Sequence, residues 1–107
     1  MTKKRLSELN KIVEQIPLDK QTVAKNLVEE IVFLYDTMTD LKKQIKEHGT
    51  VELFSQGKQQ FLRESPALKS YNVSVNRYKA LYKQLVDMMP KTAPEPENEL
   101  LAFMESA

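Results

Sequence analysis

The chain has 107 residues, enough for one domain, and its 41% apolar and 29% charged residues are ordinary for a soluble helical protein. It has no cysteine, two glycines and one histidine, which excludes disulfides and thiolate metal sites and leaves little room for phosphate-cradling loops. The net charge of +1 is unevenly spread: setting aside the four glutamates of residues 92–107 leaves 16 basic and 11 acidic residues in 1–91, a net of +5. A basic body with an acidic end permits nucleic-acid binding without requiring it. No run of about 18 apolar residues occurs, so neither a membrane span nor a membrane partner is expected. The opening MTKKRLSELNKIV is basic but lacks the apolar centre of a signal peptide.

Residues 1–5 are expected to fray. Leu6, Leu9, Val13 and Ile16 then form a helical stripe, with Ile12 beside it, and Pro17 stops it. A helix this short is unstable alone in water and must dock on its own chain or a neighbour. Asp19 is placed as the N-cap of a second helix over about 20–48. Its seam is Ala24, Leu27, Ile31, Leu34, Met38, Leu41 and Ile45, in steps of three and four. Val28, Val32 and Tyr35 make a second apolar flank. Lys42, Lys43 and Lys46 complement the dipole of its last turns, and Gly49 supplies a left-handed C-cap.

The segment TVELFSQGKQQFLRES predicts a small β-hairpin at about 51–62. Gly57 supplies the positive φ of a tight turn. With Gln56 and Gly57 as the central turn residues, Phe54 lies opposite Gln59 and Leu53 opposite Gln60. One face carries Glu52, Phe54, Gln59 and Phe61, and the other Val51, Leu53, Gln60 and Leu62. Neither face is cleanly polar, so the hairpin is expected to lean on the helical body or on another subunit.

Residues 65–90, SPALKSYNVSVNRYKALYKQLVDMMP, predict a third helix. Ser65 can N-cap it, Pro66 suits the first helical position and Pro90 ends it. Its seam is Leu68, Tyr71, Val75, Tyr78, Tyr82, Leu85 and Met89, widened by Leu81 and Met88. The fold expected is mainly α: an antiparallel hairpin of two long helices, with a short N-terminal helix and a β-hairpin between the long helices. Two helices cannot enclose such wide stripes, and the flank Val28, Val32, Tyr35 with Leu81, Val86 and Met88 needs further cover. Residues 1–91 therefore read as a helical oligomerisation core, a ring or bundle of copies. Residues 92–107 read as an acidic, proline-containing linker followed by a short apolar tail. Leu100, Leu101, Phe103 and Met104 of that tail suit a docking peptide for a groove on a partner, or a strap on the chain's own body.

No catalytic pattern emerges. His48 stands beside the glycine that ends a helix, with no ExxH or HxxxH partner. Glu29, Glu30, Asp36 and Asp40 read as a solvated helix face rather than a metal site. No Walker-type or GxGxxG loop occurs. The expectation is a protein that is not an enzyme and takes no cofactor or metal. Tyr71, Tyr78 and Tyr82 read as core residues rather than a base-stacking platform. Lys58, Arg63, Lys69, Arg77, Lys79 and Lys83 form a modest basic set that could meet phosphates, strengthened if copies assemble in a ring.

From residue 23 to 90 the chain resembles the phage terminase small-subunit family. The likeness is carried by the order of features: a long helix ending at KKQIKEHG, the strand pair VELFSQGKQQFL, then a proline-initiated helix opening with Pro66-Ala67-Leu68-Lys69 and an aromatic. The resemblance implies a non-catalytic component of viral DNA packaging in the cytoplasm of a bacterial host. It implies an oligomeric ring that recognises double-stranded viral DNA and recruits or regulates the large subunit, which carries the ATPase and nuclease. It also gives Leu100, Leu101, Phe103 and Met104 a role in docking that large subunit. Many members carry a separate N-terminal helix-turn-helix domain, for which the 17 residues up to Pro17 are too few. DNA contact is then expected from the basic arm Lys3, Lys4 and Arg5, or from the basic surface of the ring. The competing reading is a helical-hairpin adaptor or scaffold with no nucleic-acid role.

Overall fold

A computed structural model describes residues 1–90. Among them the protein is mainly helical: α1 (Lys3–Glu14), a single 3₁₀ turn (Leu18–Lys20), α2 (Gln21–His48), strands β1 (Val51–Gln56) and β2 (Gln59–Glu64), and α3 (Pro66–Asp87). The body is elongated, 62 × 22 × 20 Å. The expected linker and tail, 92–107, lie outside the described residues.

The N-terminus does not fray. Thr2 caps α1, its hydroxyl accepting from the Arg5 backbone N–H at 3.3 Å, which satisfies one of the orphan donors of the first turn. The Met1 ammonium reaches Asp36 of α2. At the other end of α1, Gln21 Nε2 donates to the Ile16 carbonyl at 3.0 Å, and Leu9, Ile12, Val13 and Ile16 are buried. Leu6 sits at the rim rather than in the core.

Asp19 does not cap α2. It lies within the 3₁₀ turn that Pro17 initiates, and Lys20 occupies the cap position with no side-chain bond. Gly49 ends α2 with φ 85° and ψ 176°, and its N–H donates to the Ile45 carbonyl at 2.7 Å. That is positive φ with extended ψ, a region essentially reserved for glycine, rather than the left-handed helical cap expected. Pro66 opens α3 as expected, but the Ser65 side chain makes no capping bond; its backbone N–H donates to the Thr50 carbonyl at 2.9 Å instead. That bond ties the two ends of the hairpin together at its base.

Tyr35 meets Tyr78 with ring centroids 6.2 Å apart, and Lys42 Nζ lies 5.8 Å from the Tyr71 centroid. Later residues of α2 therefore face earlier residues of α3. The core is built from Ala24, Val28, Ile31 and Met38 of α2, Tyr78, Tyr82, Leu85 and Val86 of α3, the buried side chains of α1, and Met89. Its line along α2 runs Ala24, Val28, Ile31, Tyr35, Met38. This differs from the expected seam, because Leu27, Leu34 and Leu41 lie off the line and are only half-buried. The cause is a third helix: α1 packs on α2 and α3 together. It covers the flank holding Val28 and Val86 and turns the buried side of α2 towards itself. Of the α3 seam, Tyr78, Tyr82, Leu85 and Met89 are buried, while Leu68, Tyr71 and Val75 are half-buried.

The hairpin register differs from expectation by two residues. Phe54 pairs with Phe61, Leu53 with Leu62 and Gln56 with Gln59, so Gly57 and Lys58 form the turn. Gly57 has φ 60°, matching the preference for glycine at the first central position of a two-residue turn. Because the shift is even, every side chain keeps its expected face.

Candidate nucleic-acid and partner interfaces

The basic residues singled out from the sequence divide by what they touch. Arg5 is half-buried; its Cζ lies 5.0 Å from the Tyr35 ring centroid, beside Tyr78. It fastens the start of α1 to α2 across the Tyr35 ring. Arg63 is cross-strand from Glu52, donating from Nε at 2.6 Å, and its Cζ stands 4.1 Å over the Phe54 ring. Lys3, Lys4 and Lys58 are exposed.

Lys69, Lys79 and Lys83 of α3 share one exposed stripe with Asn72 and Asn76, in steps of three and four along about 21 Å of helix. Arg77 stands about 120° round the helix from that stripe. The sequence grouped these cations by proximity alone. The helical phase separates Arg77 from the others and adds Asn72 and Asn76, both able to donate to phosphate oxygens.

Among the described residues, uncovered apolar side chains gather into two patches, apart from single ones such as Leu18, Phe33 and Val73. The first is the hairpin, whose packing is mainly between its own strands. Phe54 and Phe61 meet with centroids 5.2 Å apart and Arg63 stands over Phe54, so that face is partly covered by its own side chains, with Phe61 45% exposed. The opposite face is bare: Leu53 is 61% and Leu62 70% exposed, with Val51 beside them. Among the described residues the hairpin therefore does not lean on the helical body, and each strand leaves its outer edge unpaired. The second is a flank of α2 and α3. Leu27, Leu34 and Leu41 recur every seven residues on α2; Leu81 and Met88 continue the same period on α3 from Ala67 and Ser74; all are half-buried. Each row lies across its helix from Val28 or Val86, which α1 covers, so the two rows share the side opposite α1.

Tyr78 is fully buried. Burial pushes its phenol far above the ordinary value of 10.0; Tyr82 adds to the rise, Arg5 opposes it and Tyr35 adds further. The tyrosines are thus core residues: Tyr78 and Tyr82 stack at 6.2 Å inside the body, and half-buried Tyr71 lies against Lys42.

His48 is exposed, with a Glu47 oxygen 4.0 Å away. Among the described residues no group of three or more His, Cys, Asp or Glu could hold a metal ion, and no helix is long and apolar enough to cross a membrane. The docking candidates Leu100, Leu101, Phe103 and Met104 lie outside the described residues. Compared with known proteins, the chain matches no family model, no curated protein and no solved structure.

Proposed function

We propose that this protein is a non-catalytic, DNA-binding assembly subunit, the small subunit of a phage DNA-packaging terminase. In this reading α2 and α3 form an antiparallel helical hairpin, and copies join through the bare hairpin face of Val51, Leu53 and Leu62. The ring so formed binds double-stranded viral DNA in the bacterial cytoplasm and recruits the large ATPase and nuclease subunit. The observation that supports it most is the exposed stripe Lys69, Asn72, Asn76, Lys79 and Lys83. One such stripe is weak, but a ring repeats it around a collar.

The test is duplex-DNA affinity of the full chain across a salt series. Affinity should fall steeply with salt, because each phosphate neutralised releases counterions. Replacing Lys69, Lys79 and Lys83 with glutamate should lower the slope of log affinity against log salt by about 3 per chain. Absent or salt-independent binding would leave a helical adaptor or scaffold without a nucleic-acid role. The engagement of Arg5 and Arg63 inside the protein favours that second reading, since two cations assigned to DNA are already partnered.

A further inference from the structure

The flank of α2 and α3 opposite α1 is charge-poor near one end of the molecule. Val23, Leu27 and Leu34 lie along it from α2, and Leu81 and Met88 from α3. Val23 is 56% exposed, and the Leu27 and Leu34 side chains are only half covered. The acids Glu29, Asp36 and Asp40 fall on the far side of α2, and Asp87 on the far side of α3. Glu30 and Arg77 stand on the two rims. Val23 and the half-exposed sides of the other four form a continuous apolar strip, the kind of surface on which a further segment docks.

The chain itself leads one to it. The pairing of Tyr35 with Tyr78 and Lys42 with Tyr71 sets Met89 level with Ala24, so the chain passes Pro90 at the Val23 end of the strip. Seventeen residues follow. The eight of 91–98 reach at most about 28 Å when extended. Reaching the level of Leu81 and Leu34 requires only about 14–17 Å back along α3. Leu100, Leu101, Phe103 and Met104 are spaced i, i+1, i+3 and i+4, a spacing that a helical turn would bring to one side. Glu99 and Glu105 flank them, opposite in charge to the +5 body and to Arg77, which favours their lying on the Arg77 rim rather than the Glu30 rim.

We infer that the C-terminal apolar segment, 100–104, packs back on this strip of its own chain, over Leu27, Leu34, Leu81 and Met88. A second copy would cover the whole length, including Leu41. The tail covers only the half nearest Pro90, where Val23 stands open. The assignment holds whether or not the protein packages DNA. If the tail also serves a large subunit, that partner must first displace it from the strip.

The absence of cysteine makes the test direct. A nitroxide on Ser106→Cys, the one thiol in the full chain, would broaden NMR signals of Leu27, Leu34, Leu81 and Met88 and spare Leu41 and Ile45. Adding Phe103→Asp should abolish the broadening while leaving the signals of α1 in place. A second sample, made by refolding spin-labelled unlabelled-isotope chains with isotope-labelled unmodified chains, should show no broadening of the strip. Unbroadened strip signals in the first sample would overturn the inference. Broadening in the mixed sample would overturn it too, by giving the strip to a neighbouring copy's tail. DNA affinity enters neither readout, so the inference and the packaging proposal can fail separately.

Discussion

The Arg5 guanidinium stands 5.0 Å from the centroid of the Tyr35 ring, holding the start of α1 against the middle of α2. This contact divides the basic N-terminus into one structural cation and two exposed ones. Arg5→Glu should destabilise the protein by about 1–3 kcal/mol, because it removes the cation from the ring and sets a carboxylate at a half-buried site. Lys3→Glu with Lys4→Glu should leave stability within about 0.5 kcal/mol, since both are exposed and acids suit a helix N-terminus. Chemical denaturation of the two variants checks this. Only the lysine pair is a clean probe of DNA contact by the arm.

Alkaline stability should depend on Tyr78. Its phenol is held above the unfolded value of 10.0, so the neutral form is favoured in the folded state. That contribution is complete below about pH 10 and is lost as pH rises further, because the unfolded phenol ionises first. One such group lowers stability by about 1.4 kcal/mol per pH unit in that window. Tyr78→Phe should remain folded at neutral pH and show a shallower loss by about one proton. Denaturation midpoints from pH 8 to 12 would measure it; an unchanged slope would mean that Tyr78 ionises in the folded protein.

The two glycines should differ in cost for backbone reasons. Gly49→Ala forces an alanine into a glycine-only region and should cost about 1–3 kcal/mol, although an added Cβ comes no nearer than 3.9 Å to the Val51 carbonyl. Gly57→Ala meets nothing within 4 Å, so its penalty of about 1–2 kcal/mol is purely that of positive φ. It should loosen the hairpin and leave the helices intact. Amide exchange of β1 and β2 against α2 would separate the two effects.

Core and flank leucines should respond differently. Leu85→Ala removes a fully buried side chain and should cost about 2–5 kcal/mol. Leu34→Ala, half-buried on the flank inferred to hold the tail, should cost about 2 kcal/mol, less than the core leucine. Val75→Asp, placed in the α3 seam by its spacing, is half-buried, so its carboxylate can turn towards water and the loss should be smaller than for a charge at Leu85. A negligible loss at Leu34 would show that the flank is bare in solution.

The helices and the hairpin were legible because their signals are local: steps of three and four, Pro66 at a helix start, Gly49 and Gly57 at reversals. The phase of α2 was not. Its sequence carries two interleaved apolar rows, and only the docking of α1 decides that Val28 goes inside and Leu34 to the flank. The hairpin register was missed by two because Gln56-Gly57 and Gly57-Lys58 are both acceptable turns. Cross-strand pairing of Phe54 with Phe61 and Glu52 with Arg63 selects the second. The ring contacts of Arg5 and Arg63 were not legible, because their aromatic partners are distant in sequence or on the opposite strand.

The central claim is that copies of this chain assemble and so multiply a weak basic stripe. It is tested most directly by the mass of the full chain in solution, by light scattering over a range of concentrations, alongside Leu53→Lys with Leu62→Lys. A stable assembly of many copies that the double substitution dissolves into folded single chains is the expected result. A strict monomer at every concentration would contradict it, since a lone stripe of three lysines has no avidity to draw on.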